Sequence, residues 1–115
     1  MENKVIKRKD TVQYKNSSNC IAYEYPSDDK NMNVALVEID GRYPDTGYVM
    51  NEKVKELVYV EEGEGKVIIE EEEYELKDKD VVIIQPKQKY FFYGKFKLLV
   101  FCTPPWYQGQ HKNIN

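Results

Sequence analysis

One carboxylate stands out by its surroundings in the sequence. The run 55–60 is apolar, rich in residues that favour strands, and carries Glu56. Strand alternation places Glu56 and Val58 on one face of this run, and Leu57 and Tyr59 on the other. A carboxyl group held among apolar side chains has a raised pKa and can exchange a proton with a bound molecule. The position predicts a ligand contact or a proton-transfer group.

Other reactive side chains are few. The single histidine, His111, stands close to the end of the sequence, where we expect a loosely held tail that takes no part in catalysis. Cys20 and Cys102 lie far apart and lack the spacing of a zinc site, which predicts two buried, reduced thiols. Arg8 and Arg42 are the only arginines, so bidentate clamps for a phosphorylated sugar are nearly absent.

Short strand-like runs, separated by turn residues, must position these groups. The runs cover 20–25, 33–40, 55–60, 66–70, 80–85, 90–93 and 96–103. Turns are predicted at 26–29, 40–42, 62–65 and 94–95, and the acidic block 70–73 is predicted to be a solvated hairpin tip. Hardly any stretch is long enough for an amphipathic helix. The pattern predicts an all-β sandwich or barrel.

Composition limits the classes of protein to consider. The 115 residues have room for one domain, 1–115, with a barrel core at 33–105 and a tail at 106–115. The net charge is −3, the pI is about 5.3, and lysines alternate with acids, so we expect no nucleic-acid partner. No apolar run approaches the roughly 20 residues of a membrane span, and the charged start predicts a cytoplasmic protein.

Two stretches resemble the motifs of the cupin superfamily. In the first, Glu56 is followed after six residues by Gly63, as in the second half of the first cupin motif. The second, 79–90, contains Asp80, an apolar strand and Pro86 at the positions of the second motif. The resemblance implies a single-domain cupin-type double-stranded β-helix, or jelly-roll barrel.

The same comparison shows that the metal-binding histidines of the family are missing. The His-x-His pair would fall on Met50 and Glu52, or with the longer spacer on Val49 and Asn51. The histidine of the second motif is replaced by Tyr90. Carboxylate and phenol oxygens are poor substitutes for imidazole with transition metals. We therefore predict no metal and no cofactor.

Cupin topology implies a set of side chains that face the barrel interior. The predicted ligand-binding residues are Met50, Glu52, Glu56, Tyr90, Phe92 and Trp106. The catalytic candidates are Glu56 with Tyr90 or Tyr48 as its acid partner. Three plainer interpretations stay open: Glu52 lies at the exposed rim, Glu56 makes a hydrogen bond to a neighbouring tyrosine, and Trp106 packs on the outside of the barrel.

Three functions are compatible with this set. The first is metal-independent binding of a small neutral or weakly polar molecule, with a carbohydrate as one candidate. The second is a sugar isomerase or epimerase that uses acid–base chemistry, and the third is an interaction scaffold. A filled interior would favour the scaffold. An open one with two carboxylates within hydrogen-bond reach of a tyrosine would favour the enzyme, and an open one without that geometry would favour the binding protein. The resemblance also implies a homodimer that covers Leu57 and Tyr59.

Overall fold

The structure, a computed structural model, describes residues 4–115. In this part of the chain there are nine strands and two single 3₁₀ turns, Arg8–Asp10 and Gln108–Gln110. The strands are β1 Val12–Ser17, β2 Cys20–Glu24, β3 Asn33–Tyr43, β4 Tyr48–Asn51, β5 Lys55–Ile69, β6 Glu72–Lys77, β7 Val81–Ile84, β8 Lys89–Thr103 and β9 His111–Ile114. The all-β prediction is confirmed.

Two long strands organise the barrel. β5 and β8 are 15 residues each and pair antiparallel along nearly their whole length. The sheet continues from β8 to β3, β2 and β1 on one side, and from β8 to β4 and β9. β6 and β7 both pair with β5. All neighbouring strands are antiparallel. Side chains alternate along each strand, so the curled sheet buries those of one face and exposes those of the other.

Three of the predicted turns are not chain reversals. Gly41, Gly94 and Gly65 face one another across β3, β8 and β5, and all three strands run on through this glycine row. A Cβ added at Gly65 would lie 2.3 Å from the carbonyl oxygen of Tyr93, so the backbones approach too closely there for any side chain. Glycine here permits close packing inside a strand, a role that sequence alone does not separate from a turn.

The segment expected to be a loose tail is ordered into the sheet. β9 pairs with β4, with His111 opposite Asn51 and Ile114 opposite Tyr48. Gln110 is only 2% exposed, so this end of the described chain is held by a buried polar side chain. The expectation for 106–115 is therefore wrong. β1 was also not predicted, because its apolar alternation covers only Val12 to Lys15.

The hairpin tip and the core follow the sequence more closely. β5 turns into β6 through Glu70 and Glu71, whose φ angles of 49° and 72° form a tip narrower than the acidic block. The rings of Tyr90, Phe92 and Phe96 follow one another edge to face, with centroids 5.8 and 6.1 Å apart, and fill part of the interior. Within residues 4–115 no helix is long and apolar enough to cross a bilayer.

Candidate functional site

The barrel interior is open on one side, with a cavity of about 330 Å³. Its apolar wall consists of Ala22, Ala35, Val37, Ile39, Val58, Leu98 and Val100. Tyr14 and Tyr107 also line it and are about half exposed, so they mark its open side. Mostly apolar walls with a few convergent polar groups are the usual composition of a small-molecule site. A barrel that served only as a scaffold would have no need of such a space.

A buried carboxyl group, Glu56 on β5, lies on the cavity wall at 7% exposure. The Tyr90 hydroxyl donates a hydrogen bond to Glu56 Oε1 at 3.2 Å, and Cys102 Sγ is 3.8 Å from Oε2. Burial raises the pKa of Glu56, and contacts with Tyr90, Asn51 and Cys102 offset only part of this shift. The carboxyl group therefore keeps its proton to a higher pH than an exposed glutamate.

A second pair of titratable groups lies on the same cavity. The hydroxyl of Tyr43, on β3, is 3.1 Å from Nε2 of His111 at the start of β9. Burial lowers the pKa of His111 to about 4, so the imidazole is neutral at neutral pH. Burial also raises the pKa of Tyr43. A neutral imidazole beside a phenol can remove a proton from a bound molecule.

The two pairs are connected through Asn51. Its Oδ1 lies 2.7 Å from His111 Nδ1 and 2.8 Å from Nε2 of Gln110, and the side chain is 2% exposed. The amide group also lowers the pKa of Glu56. Within residues 4–115, Asn51 Nδ2 is the buried side-chain polar atom that lacks a hydrogen-bond partner of ordinary geometry.

Four of the residues predicted for the site line the cavity: Glu56, Tyr90, Phe92 and Trp106. Trp106 lies on the cavity with its ring 5.3 Å from the His111 imidazole, centroid to centroid. Trp106 therefore lines the cavity, as expected of a ligand-binding residue, and does not pack only on the outside of the barrel.

The other three predicted residues lie elsewhere. Met50, Glu52 and Tyr48 do not contribute to the cavity wall. Glu52 pairs with Lys112 at 3.4 Å with its side chain 41% exposed, as the plainer interpretation held. Tyr48 packs against Phe91 with ring centroids 5.4 Å apart. The expectation that Met50 and Glu52 face inward is wrong.

The reason lies in the register of β4. Val49 and Asn51 are the buried residues of this strand, at 1% and 2% exposure, and these are the positions given by the longer spacer. A shift of one residue exchanges the two faces of a strand, so the choice of spacer decides every assignment on β4. Tyr43 and Gln110 were missed altogether, and His111 was named but assigned to a loose tail. The scarcity of histidine was the one signal that pointed to His111.

The donor groups do not fit the metal that binds in many barrels of this kind. Across residues 4–115, no three His, Cys, Asp or Glu side chains come together as metal ligands. The neighbours of Glu56 are a phenol, a thiol and an amide. His111, the only imidazole, has both ring nitrogens within hydrogen-bond distance of Tyr43 and Asn51.

Comparison with known proteins shows the fold. No protein-family model and no curated protein sequence matches the chain. Among solved structures, the nucleoside dehydratase Pac13 matches 99% of this chain and 92% of its own at 13% identity, with a TM-score of 0.89. A variant of this Streptomyces protein with uridine gives the same TM-score at 14% identity, over 100% of this chain and 93% of its own.

Other solved structures match with lower TM-scores. The polyketide cyclase RemF from Streptomyces resistomycificus has a TM-score of 0.76 and 12% identity over 99% of this chain and 87% of its own. KdgF from Halomonas has a TM-score of 0.72 and 13% identity over 90% of this chain and 94% of its own. The chain therefore has the cupin fold that its two motifs predicted. At this level of identity the likeness extends to the fold and not to the reaction.

Proposed function

We propose that the barrel cavity binds a small, uncharged molecule that carries hydroxyl groups. The cavity wall contains no Lys or Arg among the described residues, whereas Glu24 and Glu56 both contribute carboxyl groups. A phosphate in such a cavity would find no cation to pair with. Nucleosides are the first ligands to test, because a similar structure contains uridine, and free sugars are the second.

We further propose that the bound molecule undergoes metal-independent acid–base chemistry. The observation that supports this is the neutral His111 hydrogen-bonded to Tyr43, on the cavity that also holds the protonatable pair Glu56 and Tyr90. His111 Nε2 would remove a proton from carbon. Glu56 would return a proton, to carbon in an isomerisation or epimerisation, or to a departing hydroxyl in a loss of water. His111 then releases its proton to solvent and Glu56 takes one up, so the cycle balances without an external oxidant or reductant.

Binding and reaction can be tested separately. Purified protein is first screened by thermal shift with nucleosides, free sugars and the 5′-phosphates of the same nucleosides. We expect a shift with one neutral class and none with its phosphates. A larger shift with a phosphate than with the parent nucleoside would contradict the proposed ligand class.

The reaction is followed by NMR in D₂O with the ligand that binds. We expect solvent deuterium to enter the ligand, or a product that lacks one molecule of water. His111→Asn should abolish either change. If the ligand binds but neither deuterium exchange nor a product is seen, the proposed reaction is refuted and only the proposed ligand binding remains.

We also propose that the protein is a cytoplasmic homodimer. Leu57 on β5 faces Phe101 on β8 and Ile83 on β7, all on the outer surface and between 37% and 49% exposed. This apolar row runs across three strands, and a second copy could cover it. Light scattering of Phe101→Glu should then show a monomer, whereas Val12→Glu on β1 should not change the mass. A monomeric unmodified protein would refute the dimer.

A further inference from the structure

We infer that the backbone amides of Lys53 and Val54, acting through Gln110 and Asn51, determine which ring nitrogen of His111 carries the proton. Gln110 and Asn51 are thus positioning residues for a histidine whose Nε2 carries the accepting lone pair. The inference rests on the proposed function only where it concerns catalysis. The hydrogen-bond argument itself requires no ligand.

The orientation of the Gln110 side chain is fixed first. Its Oε1 accepts hydrogen bonds from the backbone N–H groups of Lys53 at 3.1 Å and Val54 at 3.2 Å. The backbone carbonyl of the same residue accepts from the N–H of Glu52 at 2.9 Å. If the amide were reversed, its NH₂ group would face two donors in a buried place, which is costly. Gln110 must therefore point its Nε2 away from the backbone.

The orientation of Asn51 follows from that of Gln110. Gln110 Nε2 is a donor and lies 2.8 Å from the Asn51 side chain, so the atom that faces it must be the acceptor Oδ1. The same oxygen lies 2.7 Å from His111 Nδ1. An amide oxygen cannot donate, so Nδ1 must carry the proton. The other amide atom, Nδ2, then has no hydrogen-bond partner of ordinary geometry. The Asn51 side chain lowers the pKa of Glu56.

The protonation of the cavity-facing nitrogen is the last step. Burial keeps the imidazole neutral near pH 7, so a ring with a proton on Nδ1 has a lone pair on Nε2. The Tyr43 hydroxyl, 3.1 Å away, must be the donor in their hydrogen bond. The base is thus aligned before a ligand arrives, and the residues responsible lie outside the cavity wall, where neither Asn51 nor Gln110 contributes.

The chain's single histidine makes this tautomer directly measurable. Protein labelled with ¹⁵N-histidine is studied by NMR at pH 7, where the shifts of the two ring nitrogens show which of them is protonated. We expect Nδ1–H in the unmodified protein. A dominant Nε2–H form would overturn the inference outright.

The decisive variant is Gln110→Glu. The new carboxylate can still accept from Lys53 and Val54 but offers Asn51 an acceptor instead of a donor. Asn51 should then turn its Nδ2 toward residue 110 and toward His111, and the imidazole should switch to the Nε2–H tautomer. Gln13→Glu makes the same change on the exposed surface of β1 and should leave the tautomer unchanged. A folded Gln110→Glu protein that keeps Nδ1–H contradicts the relay.

A second variant keeps the inference testable if Gln110→Glu does not fold. Asn51→Asp retains an acceptor for both His111 Nδ1 and Gln110 Nε2, so Nδ1–H should persist. The added negative charge should raise the pKa of His111. A switch to Nε2–H in Asn51→Asp would overturn the inference.

Catalysis provides a separate measurement once a substrate is known. Gln110→Glu should lower kcat by at least about tenfold and change KM little, because the base is misaligned while the cavity wall is intact. If the tautomer switches as expected but no ligand ever binds, the relay stands and the proposed function fails. If the tautomer does not switch while the enzyme is active, the relay fails alone.

Discussion

Two walls of the cavity place titratable groups by different means. The motif wall, Glu56 on β5 and Tyr90 on β8, lies within the two motifs and on strands paired along most of their length. The closing wall, Tyr43 on β3 and His111 on β9, is supported from behind by Asn51 on β4 and depends on polar side-chain contacts. The motif wall thus follows from the barrel itself. The closing wall follows from polar contacts between segments that are distant in sequence, and we expect the choice of reaction to depend on it.

The largest effect should come from the closing wall. His111→Asn keeps an amide that can donate to Asn51 but removes the accepting nitrogen beside Tyr43. We expect activity to fall by about 10³-fold with ligand binding retained, because general base catalysis contributes on this order. Steady-state kinetics and the thermal shift measure the two quantities. Glu52→Gln serves as the control outside the cavity and should have no effect. If His111→Asn were fully active, the base would have to be sought on the motif wall.

A smaller loss should follow a change in the motif wall. Glu56→Gln keeps the shape of the side chain and can still accept from Tyr90, but it has no proton to exchange. We expect a fall of about 10²-fold in kcat, the lower end for general acid–base catalysis. Tyr48→Phe, which alters a tyrosine outside the cavity wall, should change the rate less than twofold. An equal loss in both variants would indicate damage to the barrel and not to the chemistry.

The smallest effect is a dependence of the free energy of unfolding on pH, which arises from His111 on the closing wall. Burial lowers the folded-state pKa of His111 to about 4, below its ordinary value of about 6.5. Between these values the unfolded chain binds a proton that the folded protein does not. Stability from this group is present above about pH 6.5 and is lost as the pH falls, by about 1.4 kcal/mol per pH unit.

Urea unfolding at several pH values measures this slope. His111→Asn lacks the group, so its free energy of unfolding should fall less steeply between pH 6 and 4.5 than that of the unmodified protein. Burial of Glu56 acts in the opposite sense, because a raised carboxyl pKa favours the folded state at low pH. That contribution is present in both proteins and cancels in the comparison. Parallel curves would mean that His111 is solvated.

The sequence was sufficient for the fold because strand alternation and motif spacing are local features. Glu56 and Tyr90 were placed in the barrel interior for the same reason, since their strands are fixed by the motifs. On β4 the length of the spacer was ambiguous, so Met50 was assigned inward in place of Asn51. His111 could not be placed because its contact with Asn51 spans 60 residues of sequence. Polar contacts between distant segments leave no periodic pattern to read.

The glycine row has a consequence for how the protein opens. Because β5 and β8 both continue through Gly65 and Gly94, their ladder of backbone hydrogen bonds runs from the cavity to the opposite end of the barrel, interrupted only by one bulge at Glu61. We expect strands paired in this way to unfold together, so that neither half loses its protection from hydrogen exchange before the other. Amide hydrogens at Val58 and Val67, on either side of the row, should therefore exchange with solvent in one shared global event and at similar rates.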